Sequence, residues 1–150
     1  MSSIFKFFRG FGYAGKGIVT AVREERNVRF HLCAAVSVGL FSLFYDFDAV
    51  RYAVLALVVA LVIALELANT AIERAVAKPD AAHDAFAGAA KDVAAGAVLV
   101  AAIGAVLVGV CLFADAAALR RAAAFFAHPL PLVGLAVYLA ACVAFVFRLP

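Results

Sequence analysis

The segment from Val93 to Ala114 contains no charged residue, and this restricts the fold of the chain more than any other feature. A helix crosses the hydrocarbon core of a bilayer with about 20 mostly apolar residues, in a range of roughly 17 to 25. Three further apolar stretches share this character. One runs from about Phe30 to Tyr45, bounded by Arg29 and Asp46. A second, from Tyr52 through Ile72, is interrupted by Glu66 and Asn69. The third, from Leu132 to Phe147, follows His128, Pro129 and Pro131. Proline suits the first turn of a helix and not its interior, so this last segment should begin near its prolines. The expected fold class is all-α, with multi-pass transmembrane helices.

Composition supports the same reading, since 68% of the 150 residues are hydrophobic, whereas soluble domains are about half apolar. The net charge of +3 is unevenly placed. Lys6, Arg9, Lys16, Arg23, Arg26 and Arg29 precede the first apolar stretch, Arg74, Lys78 and Lys91 lie between the second and third, and Arg148 follows the fourth. With a cytoplasmic N-terminus, these ten are inside and only Arg51, Arg120 and Arg121 are outside, as the positive-inside rule requires. Membrane topology thus accounts for the basic excess without a nucleic-acid partner. The apolar core of a signal peptide is absent before Arg23.

Ile4, Phe8 and Phe11 recur at i, i+4 and i+7 with Lys6 and Arg9 off that line, which predicts an amphipathic surface helix at the N-terminus. Gly10, Gly12, Gly15 and Gly17 are expected to break it and let the chain turn. The run from Gly10 to Gly17 approaches the spacing of a phosphate-binding P-loop, but that loop needs Ser or Thr after its Lys and a strand before it. Gly17 follows Lys16, and an aromatic run precedes Gly10. Cys33, Cys111 and Cys142 form no CxxC and read as small core residues. Ala97, Ala101, Ala105 and Gly109 repeat every fourth position, a stripe on which another helix can pack closely.

The chemistry concentrates in three places. Glu66, Asn69 and Glu73 fall within about 60° of one another on a helix, so two carboxylates and an amide form one polar stripe near the end of an apolar segment. Ionisable groups at membrane depth cost several kcal/mol and usually mark function rather than structure. A second cluster, from Arg23 to His31, alternates acid and base just before the first apolar stretch. Both lie at the expected cytoplasmic interface, where Glu25 and Glu73 together can offer hard oxygen ligands to a divalent cation. The third is Lys91-Asp92, leading into the uncharged span from the same side. There Lys91 supplies a point charge for phosphate oxygens, and Asp92 can hold that Lys or a metal-bound water.

Three runs together resemble the prokaryotic diacylglycerol kinase family: Glu25-Arg26-Asn27-x-Arg29-x-His31, then Glu66-x-x-Asn69-Thr70-Ala71-Ile72-Glu73, then Lys91-Asp92-Val93-Ala94-Ala95-Gly96-Ala97-Val98-Leu99. Their order and spacing match over about residues 4 to 113, and the first and third are more similar to the undecaprenol kinases of the family than to its diacylglycerol-specific members. The resemblance implies a three-span protomer with an N-terminal surface helix, in the bacterial cytoplasmic membrane. It also implies a homotrimer whose shared active sites face the cytoplasm, transferring phosphate from ATP, with Mg²⁺, to a lipid alcohol in the bilayer.

By position, Glu66 matches the family's general base, and Glu25 and Glu73 match its metal-binding glutamates. Asn69, Lys91 and Asp92 match polar residues of the ATP and metal site, while Lys6 and Tyr13 fall where nucleotide contacts are made. Two positions depart from the pattern. Ala77 stands where the family often has Asp, and the loop histidine, His83, lies one place earlier than usual, with Asp84 in its position. Residues 1–114 are thus expected to form the kinase domain. Residues 115–150 are an extra segment with a fourth span, whose role the resemblance does not supply. Diacylglycerol is the alternative acceptor. A non-catalytic assembly protein or an ion-coupled transporter would leave part of the three polar clusters without a reason.

Overall fold

The computed structural model describes residues 3–77 and 85–148, with the side chains of Ser3, Lys6, Ala85 and Arg148 outside that description. The described residues form six helices: α1 (Ser3–Glu24), α2 (Arg26–Ser42), α3 (Ala49–Val76), α4 (Ala85–Phe113), α5 (Ala116–Phe126) and α6 (Pro129–Arg148). The all-α class expected from the apolar stretches is the observed one.

Among the described residues, three helices are long and apolar enough to cross a membrane: α3, α4 and α6. At 1.5 Å per residue α3 extends about 42 Å and α6 about 30 Å, enough for a hydrocarbon core of about 30 Å. Helix α6 begins at Pro129, as its prolines predict. The first expected stretch becomes α2, of 17 residues, at the short end of the spanning range. Apolar side chains such as Val100, Val106, Leu130 and Val137 remain exposed along these helices, which in a chain of this composition is the surface that faces lipid.

Helix α1 corrects one expectation. It runs unbroken through Gly10, Gly12, Gly15 and Gly17, and no described glycine adopts a positive φ. Each glycine costs a helix roughly 0.5–1 kcal/mol relative to alanine. A break in an apolar environment would cost more, by stranding backbone groups that the helix satisfies. Ile4, Phe5, Phe7, Phe8 and Phe11 are each about two-thirds exposed, as suits a helix whose apolar face lies on a membrane surface. Burial begins near its end, at Ala21.

Helices α3 and α4 form the most extensive packed pair, while α2 lies between α3 and α6. Arg29, near the start of α2, bonds to Val146 near the end of α6, so the two run antiparallel. At the other end an aromatic cluster gathers Phe41, Phe44, Tyr45, Phe47 and Phe113, with Phe125 and Phe126 of α5 against Phe44. The Tyr45 hydroxyl donates to the Phe113 carbonyl at 3.1 Å, satisfying an acceptor at the end of α4.

Helix α5 was not foreseen. Asp115 caps it by accepting from the Ala117 and Ala118 amides at 2.8 and 3.4 Å, and those bonds hold its carboxyl below the ordinary carboxylate range. Ala118 and Ala122, one turn apart, are buried. Arg121 reaches back to the Phe44 carbonyl at 2.9 Å and the Asp46 carboxylate at 3.1 Å. The cysteines divide: Cys33 and Cys142 are half-buried, but Cys111, expected in the core, is exposed on α4. The small-residue stripe also divides, with Ala97 exposed and Ala105 and Gly109 half-buried.

Candidate active site

Helix α3 carries the polar stripe down to one end of the bundle. Glu66, Asn69 and Thr70 are buried at 3%, 7% and 5% exposure, and the Glu73 side chain, one turn further on, is about one-third exposed. The helical period explains the grouping. Residues three, four and seven apart share a face, and on α3 that face turns toward the interior while the Leu57 and Leu61 side chains remain exposed.

Among the described residues, the Asn69 amide oxygen is buried without a hydrogen-bond partner. An orphaned buried acceptor costs roughly 1–3 kcal/mol, and buried polar groups in native proteins are nearly always paired.

Cations flank the carboxylates. The Lys91 Nζ of α4 lies 3.9 Å from Glu73 Oε1. Arg74 Nη2 lies 2.9 Å from Glu24 Oε2 and 3.5 Å from Glu25 Oε1, joining α3 to the corner between α1 and α2. The structure thus connects Glu73 with Lys91 and Glu25 with Arg74. Asp92 is exposed and forms no ion pair among the described residues, so the carboxylate beside Lys91 is Glu73 rather than Asp92. Tyr13 lies on exposed α1, where its hydroxyl accepts from Arg9 Nη2 at 2.7 Å. His83 and the Lys6 side chain lie outside the described residues.

Arg74, Glu24 and Thr70 were missed as site residues. The sequence marked Arg74 only as one of the inside charges, and nothing in its spacing shows that it bridges two acids 49 and 50 residues away. Thr70 was legible in principle, because it adjoins Asn69 near the buried face.

The donor set can be tested against a metal by its chemistry. Among the described residues no three His, Cys, Asp or Glu side chains cluster closely enough to hold an ion. Glu25 and Glu73, each about one-third exposed, are hard oxygen donors of the kind a cation that keeps some of its waters can take. Mg²⁺ behaves in this way.

An apolar groove of about 380 Å³ opens between α2, α3 and α4, lined by residues including Phe30, Val38, Leu55, Val62, Ala105 and Gly109. Val62, which lines the groove, stands one turn before the buried Glu66 on the same face of α3.

Fold and site together define a multi-pass helical membrane protein with an acidic, cation-flanked centre at one end of an apolar bundle. The chain belongs to the prokaryotic diacylglycerol kinase family, whose model matches residues 12–113. It is 38% identical over 92 residues to the undecaprenol kinase of Bacillus subtilis (strain 168), covering 56% of this chain and 75% of that protein. No solved structure matches. The enzyme is accordingly a membrane lipid kinase.

Proposed function

We propose that the protein transfers the terminal phosphate of ATP to undecaprenol, forming undecaprenyl phosphate in the cytoplasmic membrane, with its site on the cytoplasmic side. The observation that carries this reading is an apolar groove whose lining residue Val62 is one helical turn from the buried Glu66, in a chain 38% identical to an undecaprenol kinase. A polyprenol has one primary hydroxyl on a long apolar chain, and the groove takes a chain while Glu66 meets its end.

The roles follow from what phosphoryl transfer demands: positioning, neutralisation of phosphate charge and removal of the acceptor proton. Glu66, buried one turn beyond the groove-lining Val62, accepts the proton of the lipid hydroxyl. Glu25 and Glu73 would hold Mg²⁺, which would supply neutralisation of phosphate charge. Lys91 leaves Glu73 for the phosphate oxygens. Asn69 takes a hydrogen bond from the bound ligands through its orphaned oxygen, and Asp92 would orient water beside the cation. Lys6, Tyr13 and His83 contact the nucleotide, with Tyr13 reaching it from α1 as Arg9 releases its hydroxyl.

Residues 1–114 make up the kinase domain and residues 115–150 an added segment. The working form is a homotrimer with shared sites, which would cover some of the apolar surface exposed in one protomer. Purified protein in bilayers with labelled ATP, Mg²⁺ and one lipid at a time tests the reading. Labelled undecaprenyl phosphate supports it, and label found only in phosphatidic acid makes the enzyme a diacylglycerol kinase.

A further inference from the structure

Helix α6 lies beyond the span of the family match, yet it is tied to α2 at three levels. Nearest the site, the buried Arg29 side chain donates from Nε and Nη2 to the Val146 carbonyl at 3.3 and 3.2 Å. One turn earlier along the chain, Arg26 stacks over the Phe147 ring at 5.6 Å. Deeper in the bundle, the Tyr138 hydroxyl lies 2.9 Å from Ser37 Oγ and donates to the Cys33 carbonyl, and Cys142 stands one turn beyond Tyr138 on the same face of α6.

Arg29 does more than join two helices. Its Nη1 also donates to the Val22 and Arg23 carbonyls at 3.1 and 2.8 Å, in the last turn of α1. One guanidinium therefore gathers the C-terminal carbonyls of α1 and α6, where helix dipoles concentrate negative charge. Its fork of donors suits such multiple acceptance and a lysine does not. Between those carbonyls and Arg29 lies Glu25, in extended conformation ahead of α2. Its amide donates to the Ala21 carbonyl at 2.8 Å, and its own carbonyl accepts from the Arg29 amide at 3.3 Å. The corner that carries Glu24 and Glu25 is thus held between Arg29 and the end of α1, and α6 holds Arg29.

We propose that α6 is a positioning element of the kinase site: by seating the Val146 carbonyl on Arg29 and the Phe147 ring on Arg26, it fixes the Glu24–Glu25 corner and thereby sets the affinity of the site for its divalent cation. This rests on Glu25 as a metal ligand. Arg29 and Arg26 are positioning residues, since neither is assigned contact with substrate. Added segment and kinase domain then work as one unit.

The test uses the full chain with Cys111→Ser, so that Cys33 and Cys142 are its remaining cysteines. Arg29→Lys should raise half-saturating Mg²⁺ about tenfold, the lower end for loss of a group that supports a metal ligand. Phe147→Leu should raise it less, and the KM for lipid should not move in either. Copper phenanthroline in air should join Cys33 to Cys142 within one chain, and in both variants that bond should return the Mg²⁺ requirement toward the parent value. Phe147 is exposed, so this variant keeps the test decisive if Arg29→Lys fails to fold. Failure of the disulfide to form, an unmoved Mg²⁺ requirement, or a shift that the disulfide does not reverse would each overturn the proposal. Glu25→Gln separates the two layers. If it shifts the Mg²⁺ requirement while the Arg29 and Phe147 variants do not, α6 has no such role and the ligand assignment survives. If it shifts nothing, both fall.

Discussion

Lys91 Nζ lies 3.9 Å from Glu73 Oε1, joining the two most extensively packed helices at the mouth of the site, with the side chains 55% and 34% exposed. An ion pair this open is worth at most about 1 kcal/mol. It holds Lys91 near the carboxylate without binding it tightly, so the ammonium can exchange onto a phosphate. Lys91→Gln should therefore raise the KM for ATP about tenfold, corresponding to about 1.4 kcal/mol, while leaving the melting temperature nearly unchanged. Initial rates over a range of ATP concentrations at saturating lipid measure the first effect and a thermal scan the second.

The three glutamates should separate by kinetic signature. Glu25→Gln and Glu73→Gln each keep the shape of the side chain and remove an anionic ligand, so each should move half-saturating Mg²⁺ upward. Glu66→Gln should lower kcat by roughly 10²–10⁴-fold, the usual contribution of a general base, without moving the Mg²⁺ requirement. Titration of all three with Mg²⁺ at saturating ATP and lipid distinguishes the roles, and an unchanged metal dependence in both outer variants would remove them as ligands.

Asn69 should show a trade of stability against function. Its buried oxygen has no partner among the described residues, so Asn69→Leu, similar in size and without the orphaned acceptor, should match or exceed the parent in stability, by up to about 1 kcal/mol. Turnover should fall. Thermal unfolding in detergent and the rate at saturating substrates, measured on the same preparation, give the two numbers. A destabilised variant with full activity would assign Asn69 to structure instead.

Much of this arrangement was legible in the sequence, because bilayer thickness and helical period are strict rules. The uncharged run at Val93 announced α4, the prolines before Leu132 placed the start of α6, and the spacing of Glu66, Asn69 and Glu73 put them on one face of α3. What stayed hidden depends on contacts between segments distant in sequence. Arg74 joins Glu24 and Glu25 and Arg29 reaches Val146 across 117 residues, and neither leaves a periodic trace. Helix α5 was obscured because its cap is a lone Asp115 and its buried face consists of alanines, which hydropathy does not distinguish from their surroundings. The glycines of α1 misled for a related reason: their cost to a helix is small beside that of breaking its hydrogen bonds in an apolar setting.

The ends of the bundle predict topology. Arg29 meets Val146 at the end that carries Glu25 and Arg74, whereas Arg121 meets Phe44 at the other. A reporter fused after Arg148 should therefore lie on the same side as the N-terminus, the cytoplasm, and one inserted near Asp46 on the opposite side. Labelling of introduced cysteines by an impermeant reagent in intact cells checks both positions. An external C-terminus would place α6 in the interface instead of across the membrane.

The most direct measurement is phosphorylation itself, with purified protein in bilayers, γ-labelled ATP and Mg²⁺, and undecaprenol and diacylglycerol supplied separately at equal mole fraction. The account predicts labelled undecaprenyl phosphate in clear excess over phosphatidic acid, dependence on Mg²⁺, and loss of product in Glu66→Gln. A strong preference for diacylglycerol, or undecaprenol phosphorylation undiminished in Glu66→Gln, would contradict it.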